Sequence, residues 1–80
     1  MRYVYLLQSQ GFEGQRYVGV TSDLRRRLAE HNAGRSPHTS KYAPWTLVTY
    51  IAFSDGQKAE TFERYLKSGS GHAFAAKRFW

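Results

Sequence analysis

Five side chains suited to chemistry sit where inert ones would be expected: Tyr5, Tyr17, Arg27, His31 and Glu63. The segment "KAETFERYLKSG", Lys58 to Gly69, reads as a helix. At roughly 100° per residue, Ala59, Phe62, Glu63 and Leu66 share one stripe, while Glu60 and Lys67 point elsewhere. Desolvating a carboxylate costs on the order of several kcal/mol, so Glu63 lies either at the stripe's wet edge or against a partner. In "TSDLRRRLAEHNAG" the same geometry turns Leu24, Leu28 and His31 inward with Arg27 on the edge, and turns Arg25 and Arg26 away. Tyr5 in "RYVYLLQS" and Tyr17 in "QRYVGVT" share parity. In a hairpin centred on the turn between them they lie close together, with Gly19 near Tyr5, leaving room over the backbone for a ring or a phosphate.

An Arg27–Glu63 salt bridge would account for two of these misfits without any chemistry, and a snorkelling arginine with a half-buried core His31 for two. Direct, fully buried contact between Arg27 and Glu63 is the mark of that structural alternative. If both helices instead pack on the tyrosine face, the two residues flank a cleft.

The elements that position these residues follow from local pattern. "RYVYLLQS", Arg2 to Ser9, is apolar on both faces and reads as a central strand, and "QRYVGVT", Gln15 to Thr21, follows a short turn-like "QGFEG" as its antiparallel partner. A helix from about Asp23 to Asn32 is expected, with Ser22 as cap, Asp23 suiting the positive helix start and Gly34 beyond its end. The loop "GRSPHTSKYAP" is basic and polar. "WTLVTYIAFS", Trp45 to Ser54, is the third and longest strand. Ser54 with Gln57 offers a capping box for the Glu63 helix, Gly69 and Gly71 punctuate its end, and "HAFAAKRF" forms a short last helix. The order strand, strand, helix, strand, helix, helix makes one α+β domain over 1–80: a small three-stranded antiparallel sheet flanked by helices.

Composition narrows the partner. Twelve Lys and Arg against six Asp and Glu, net +6, point to a polyanion, although solubility alone can explain such a balance. With no cysteine there is no disulfide framework or thiolate zinc site, and His31, His38 and His72 lack zinc-ligand spacing. No stretch approaches the roughly 18 apolar residues of a membrane span, and the first residues lack signal-peptide features, so a soluble cytoplasmic protein is expected.

Taken in order, "YVY" (Tyr3 to Tyr5), "YVG" (Tyr17 to Gly19), "DLRRRLAEHN" and "AETFERYLK" resemble the motifs of the GIY-YIG nucleases across nearly the whole chain, closest to the small bacterial stand-alone members. The resemblance implies a Mg²⁺-dependent endonuclease hydrolysing phosphodiester bonds in DNA, with DNA repair or recombination as its setting. Glu63 would bind the metal, Arg27 would contact the scissile phosphate, and Tyr5, Tyr17 and His31 would surround the attacking water, with Tyr17 as the favoured base. Mg²⁺ needs only one protein carboxylate because it keeps several waters and takes phosphate oxygens. Tyr3 departs from the family's glycine, and Val20 stands where a lysine is often found, a role another cation such as Lys41 could take over. The alternative is a non-catalytic nucleic-acid-binding domain of the same fold. In either case Arg25, Arg26, Arg35, Lys41 and Lys67 are the expected phosphate contacts. A sheet-based RNA binder fits poorly, since "RYVGV" lacks the required glycine and aromatic pattern.

Overall fold

The computed structural model describes residues 1–80. Strands β1 (Arg2–Ser9), β2 (Arg16–Thr21) and β3 (Trp45–Phe53) form one antiparallel sheet in the order β2-β1-β3. Helices α1 (Leu24–Asn32), α2 (Gly56–Leu66) and α3 (Gly69–Arg78) cover it, and a single 3₁₀ turn spans Ser40–Tyr42.

The central position of β1 explains its doubly apolar sequence. Val4 and Leu6 are fully buried on one face with Ala59 and Leu66 of α2 and Ala75 of α3. Tyr5 and Leu7 are buried on the other with Trp45, and Leu24 and Leu28 of α1 close that side. Each aliphatic side chain so removed from water contributes about 1.5–3 kcal/mol, and a strand with no wet face uses that gain twice per repeat. The two helices expected to share the tyrosine face are therefore on opposite faces, α1 against the tyrosines and α2 with α3 behind them. The stripe of α2 is satisfied by the even-numbered residues of β1, which offer the larger aliphatic surface.

The hairpin register pairs Tyr5 with Gly19 and Leu7 with Tyr17, as its short connection requires. Gly14 holds a positive φ of 89° in the turn, a conformation costly for any residue with a Cβ. Gly34, at φ 75°, ends α1 as expected.

Several local expectations shift. Asp23, not Ser22, caps α1 by accepting from the Arg26 N–H at 3.1 Å, and Asp55, not Ser54, caps α2 by accepting from the Gln57 N–H at 2.9 Å. Aspartate and serine cap almost equally well, so the choice between neighbours falls to whichever backbone is extended where the helix starts. The last helix begins three residues earlier than His72: Ser68 caps it, accepting from the Gly71 N–H, and Gly69 and Gly71 belong to its first turn. Gly71 is there for space, because a Cβ would collide with the Tyr65 carbonyl of α2. The loop after α1, polar by composition, buries Ser36 and Thr39.

Candidate active site

Tyr5 is the buried centre of the group. Its ring is 1% exposed and its hydroxyl lies 2.8 Å from Nε2 of His31, which is itself completely buried. Nδ1 of His31 meets Oγ1 of Thr39 at 2.7 Å, and the Thr39 carbonyl accepts from the Trp45 indole N–H at 2.9 Å. Asn32, one residue on from His31, fixes the start of β3: its Oδ1 accepts from the Trp45 N–H at 2.6 Å and its Nδ2 donates to the Trp45 carbonyl. The imidazole is thus held at both nitrogens. Burial pushes its basicity down, and the neighbouring Arg27 charge adds to this. Burial likewise pushes the Tyr5 hydroxyl up to about 12, against the opposing pull of the Arg27 guanidinium. At neutral pH both groups are uncharged, and the chain Tyr5–His31–Thr39 can run in either direction, with one N–H donated and one lone pair used in each. Tyr5 and His31 are therefore fixed, neutral, hydrogen-bonding groups, unsuited to hold a water directly with the imidazole.

Tyr17, on edge strand β2, is half-buried, with its ring 6.1 Å from Tyr5 and 5.0 Å from His31, centroid to centroid. The space above Gly19 is the seat of both tyrosines. A Cβ there would lie 2.5 Å from the Tyr5 hydroxyl oxygen and 2.9 Å from Cε2 of Tyr17. The room read from the sequence as suited to a ring or a phosphate is filled by rings.

The two charged members do not touch each other. Nη1 of Arg27 donates to Oε1 of Glu30 at 2.9 Å, on its own helix, with Arg27 about one-third exposed. That bond keeps the Glu30 carboxyl below its usual range and the Arg27 guanidinium more firmly charged. Glu63, 14% exposed, is paired along α2 with Nζ of Lys67 at 2.5 Å. The buried Arg27–Glu63 salt bridge is absent. The charges of both residues nevertheless act on the Tyr5 hydroxyl, Arg27 lowering and Glu63 raising its affinity for the proton. Both thus lie near Tyr5, although α1 and α2 cover opposite faces of the sheet and the two residues do not line a common cavity.

Lys67 corrects a second expectation. Rather than pointing away from Glu63, it reaches back one turn to it and lies over the Tyr17 ring at 6.0 Å. It is the C-cap of α2, still in right-handed helical conformation, and its i,i+4 spacing sets it beside Glu63. The other expected phosphate contacts are scattered. Arg25 borders a depression with Tyr3 and Tyr50 toward β3, Arg26 pairs with Glu30 on the outer face of α1, Arg35 is exposed beyond that helix, and Lys41 lies over Tyr42. Only Lys67 joins the tyrosines. Three residues that shape the site escaped the sequence reading: Thr39, Glu30 and Asn32. For Glu30 the i,i+3 and i,i+4 spacing to Arg27 and Arg26 was a usable signal; Thr39 gave none, because its partner is eight residues away across an irregular loop.

The donor set suits a divalent ion held by one carboxylate. No three His, Asp or Glu side chains converge anywhere, so a cage for a fully dehydrated ion is excluded. Glu63 already faces a cation, the Lys67 ammonium. Glu63 is the residue that would hold such a divalent ion.

The chain is similar to known proteins in sequence and in fold. The family model described as the GIY-YIG catalytic domain matches residues 1–75. The UPF0213 protein Reut_B5558 of Cupriavidus pinatubonensis is 37% identical over 79 residues, covering 94% of this chain and 86% of its own. A UPF0213 protein of Streptococcus pneumoniae is 36% identical over 66 residues, and the match spans only 65% of that longer relative. The solution NMR structure of the UPF0213 protein BH0048 from Bacillus halodurans superposes with a TM-score of 0.57 at 30% identity, covering 96% of this chain and 84% of that one.

Proposed function

The chain belongs to the GIY-YIG family, whose members are nucleases, and from that premise we propose that it is a metal-dependent endonuclease hydrolysing phosphodiester bonds in DNA. The observation that carries this reading is the separation of Arg27 from Glu63 around the Tyr5–Tyr17–His31 group. A structural ion pair would have joined them; a site for an anion and a cation together must keep them apart.

In this reading Glu63 holds a divalent ion, most simply Mg²⁺, which when bound supplies charge neutralisation at the phosphate and acidifies nearby water. Arg27 turns from Glu30 to the phosphate, where a planar guanidinium matches two oxygens and stabilises the charge that grows there. Tyr17, half-buried at the sheet edge, acts as its phenolate: it first gives its own hydroxyl proton to solvent and then takes one proton from the attacking water. The water oxygen bonds to phosphorus as the bond to the leaving oxygen breaks, and that leaving oxygen is protonated from solvent. Tyr5 cannot serve as the base near neutrality, with its hydroxyl at about 12, and instead fixes the ring of Tyr17 and offers one hydrogen bond, held in place by His31 and Thr39. This refines the expected trio around the water into one base and a buried support. The expected phosphate contacts contribute unevenly: Lys67 lies within the site, while Arg25, Arg26, Arg35 and Lys41 act at a distance as a general positive field.

A second reading has its own observation, since both Arg27 and Glu63 already carry internal counter-charges, as they would in a domain that only binds nucleic acid. Incubation with single-stranded, duplex and branched DNA, in Mg²⁺ or in EDTA, separates the two. The nuclease cuts at least one substrate in Mg²⁺, not in EDTA, and loses cutting in Glu63→Ala. Cutting that persists in EDTA or in Glu63→Ala refutes the metal role, and binding without cutting on every substrate assigns the second reading.

A further inference from the structure

A cleft of about 360 Å³ lies between β2 and the α2–α3 junction, and its walls include Tyr17 and Lys67. Val18 and Leu66 form its apolar floor, and Arg16, His72 and Trp80 complete the rim. The Arg16 guanidinium lies over the Trp80 ring, 4.8 Å from its centroid. Trp80 packs one side on the core and remains only partly buried. No carboxylate side chain lines the cleft, while Arg16, Lys67 and His72 all do.

We propose that this cleft is a subsite for one nucleotide of the DNA strand next to the scissile phosphate, with its base stacked on the Arg16–Trp80 pair and its phosphate toward Lys67. The proposal rests on the nuclease reading only for where the scissile phosphate lies. Three features favour this occupant. The cleft shares Tyr17 with the proposed catalytic group and Lys67 with Glu63, so a strand bound at one lies beside the other. Its volume sits at the low end of the roughly 300–1,000 Å³ of small-ligand sites, suiting a single nucleotide. Its lining combines cations with a stacked guanidinium and indole, the surfaces that hold unpaired bases irrespective of sequence.

The two tryptophans make the test direct. Trp45 is 3% exposed and tied through its indole N–H to Thr39, so it is shielded from ligands, whereas Trp80 borders the cleft. The protein is titrated in EDTA with a single-stranded thymidine oligonucleotide of about ten residues, following anisotropy of a labelled strand and tryptophan emission with an unlabelled one. Saturable quenching that tracks anisotropy is expected. Trp80→Leu and Arg16→Gln should weaken binding roughly 5- to 150-fold, the range for losing one stacked base, while Trp80→Phe stays close to the parent. Arg16 is exposed, so its variant reports on the subsite even if Trp80→Leu fails to fold. Binding without any change in Trp80 emission, or Arg16→Gln and Trp80→Leu binding like the parent, overturns the subsite even if the protein cuts DNA. Weaker binding by anisotropy in both variants, with quenching reduced in parallel in Arg16→Gln, upholds it even if the protein never cuts. Failure to bind the oligonucleotide at all overturns it as well.

Discussion

Gly19→Ala is the sharpest single test of how the tyrosines are held. The added methyl would lie 2.5 Å from the Tyr5 hydroxyl oxygen, 2.6 Å from its Cζ and 2.9 Å from Cε2 of Tyr17. A comfortable contact needs roughly 3.5 Å, so the Tyr5 oxygen must retreat by about 1 Å and the Tyr17 ring by somewhat less. Tyr17 is half-buried on an edge strand and can give way. Tyr5 cannot, because its oxygen is tied to His31 at 2.8 Å and its ring is enclosed by Trp45 and Leu7. Overpacking of this kind costs about 1–3 kcal/mol. For a domain of this size each kcal/mol lowers Tm by roughly 4–8 °C, so a drop of about 4–24 °C is expected by circular dichroism. At a temperature where the variant is still folded, cutting should fall roughly 100-fold, as a displacement near 1 Å at reacting groups implies, while oligonucleotide affinity stays within a few-fold. An unchanged Tm together with unchanged cutting would show that the two tyrosines are not seated over Gly19 and would remove the geometric basis of the proposed chemistry.

Two further outcomes follow from the ionisation and pairing of the group. The Tyr5 hydroxyl titrates near 12 in the folded chain against 10 when free, so its contribution is complete below pH 10 and is lost as pH rises through 12, about 3 kcal/mol in all. Urea denaturation should show this alkaline loss in the parent and not in Tyr5→Phe, which is already weaker at pH 8 by about 1–3 kcal/mol because it strands a ring nitrogen of buried His31; identical pH dependence in the two proteins would refute the assignment. Lys67→Met removes the ammonium that competes for Glu63, so calorimetry should find Mn²⁺ or Mg²⁺ binding about two-fold tighter alongside weaker oligonucleotide binding, and looser metal binding would contradict competition at that carboxylate.

Legibility from sequence divided along a physical line. Whatever depends on neighbours along one element was readable: the doubly buried β1, the hairpin register that brings Gly19 under Tyr5, and the stripe of α1 that turns His31 inward. Periodicity says which side of a helix is apolar, but not which face of the sheet it covers. α2 could equally have met Tyr5 and Leu7 or Val4 and Leu6, and its choice of the latter is a long-range result. The same holds for His31. Its inward direction was visible, whereas its complete burial depends on Thr39 returning from a loop that composition marks as solvated. Lys67 was misplaced for a third reason: sorting residues into an apolar stripe and the rest overlooks that positions four apart on a helix are neighbours, so a lysine outside the stripe still reaches Glu63.

The charge arrangement bears on how readily such a site could engage a substrate. Had Arg27 and Glu63 clasped each other in the core, admitting a phosphate and a metal would have meant breaking a buried pair, at about 3–5 kcal/mol. Instead each is neutralised within its own helix, Arg27 three residues before Glu30 and Glu63 four before Lys67, in pairs of a kind worth about 0.2–0.5 kcal/mol. Such partners shield the charges without locking them. In the proposed reading an incoming phosphate replaces Glu30 on Arg27, and a cation replaces Lys67 on Glu63, leaving Lys67 to Tyr17 and the outer cleft that both line. The neutral Tyr5–His31–Thr39 chain beneath is untouched by either exchange. Rigidity thus resides in the uncharged, buried part of the site and exchangeability in the charged, exposed part, the division needed by a site that must present one fixed geometry to a strand it repeatedly binds and releases.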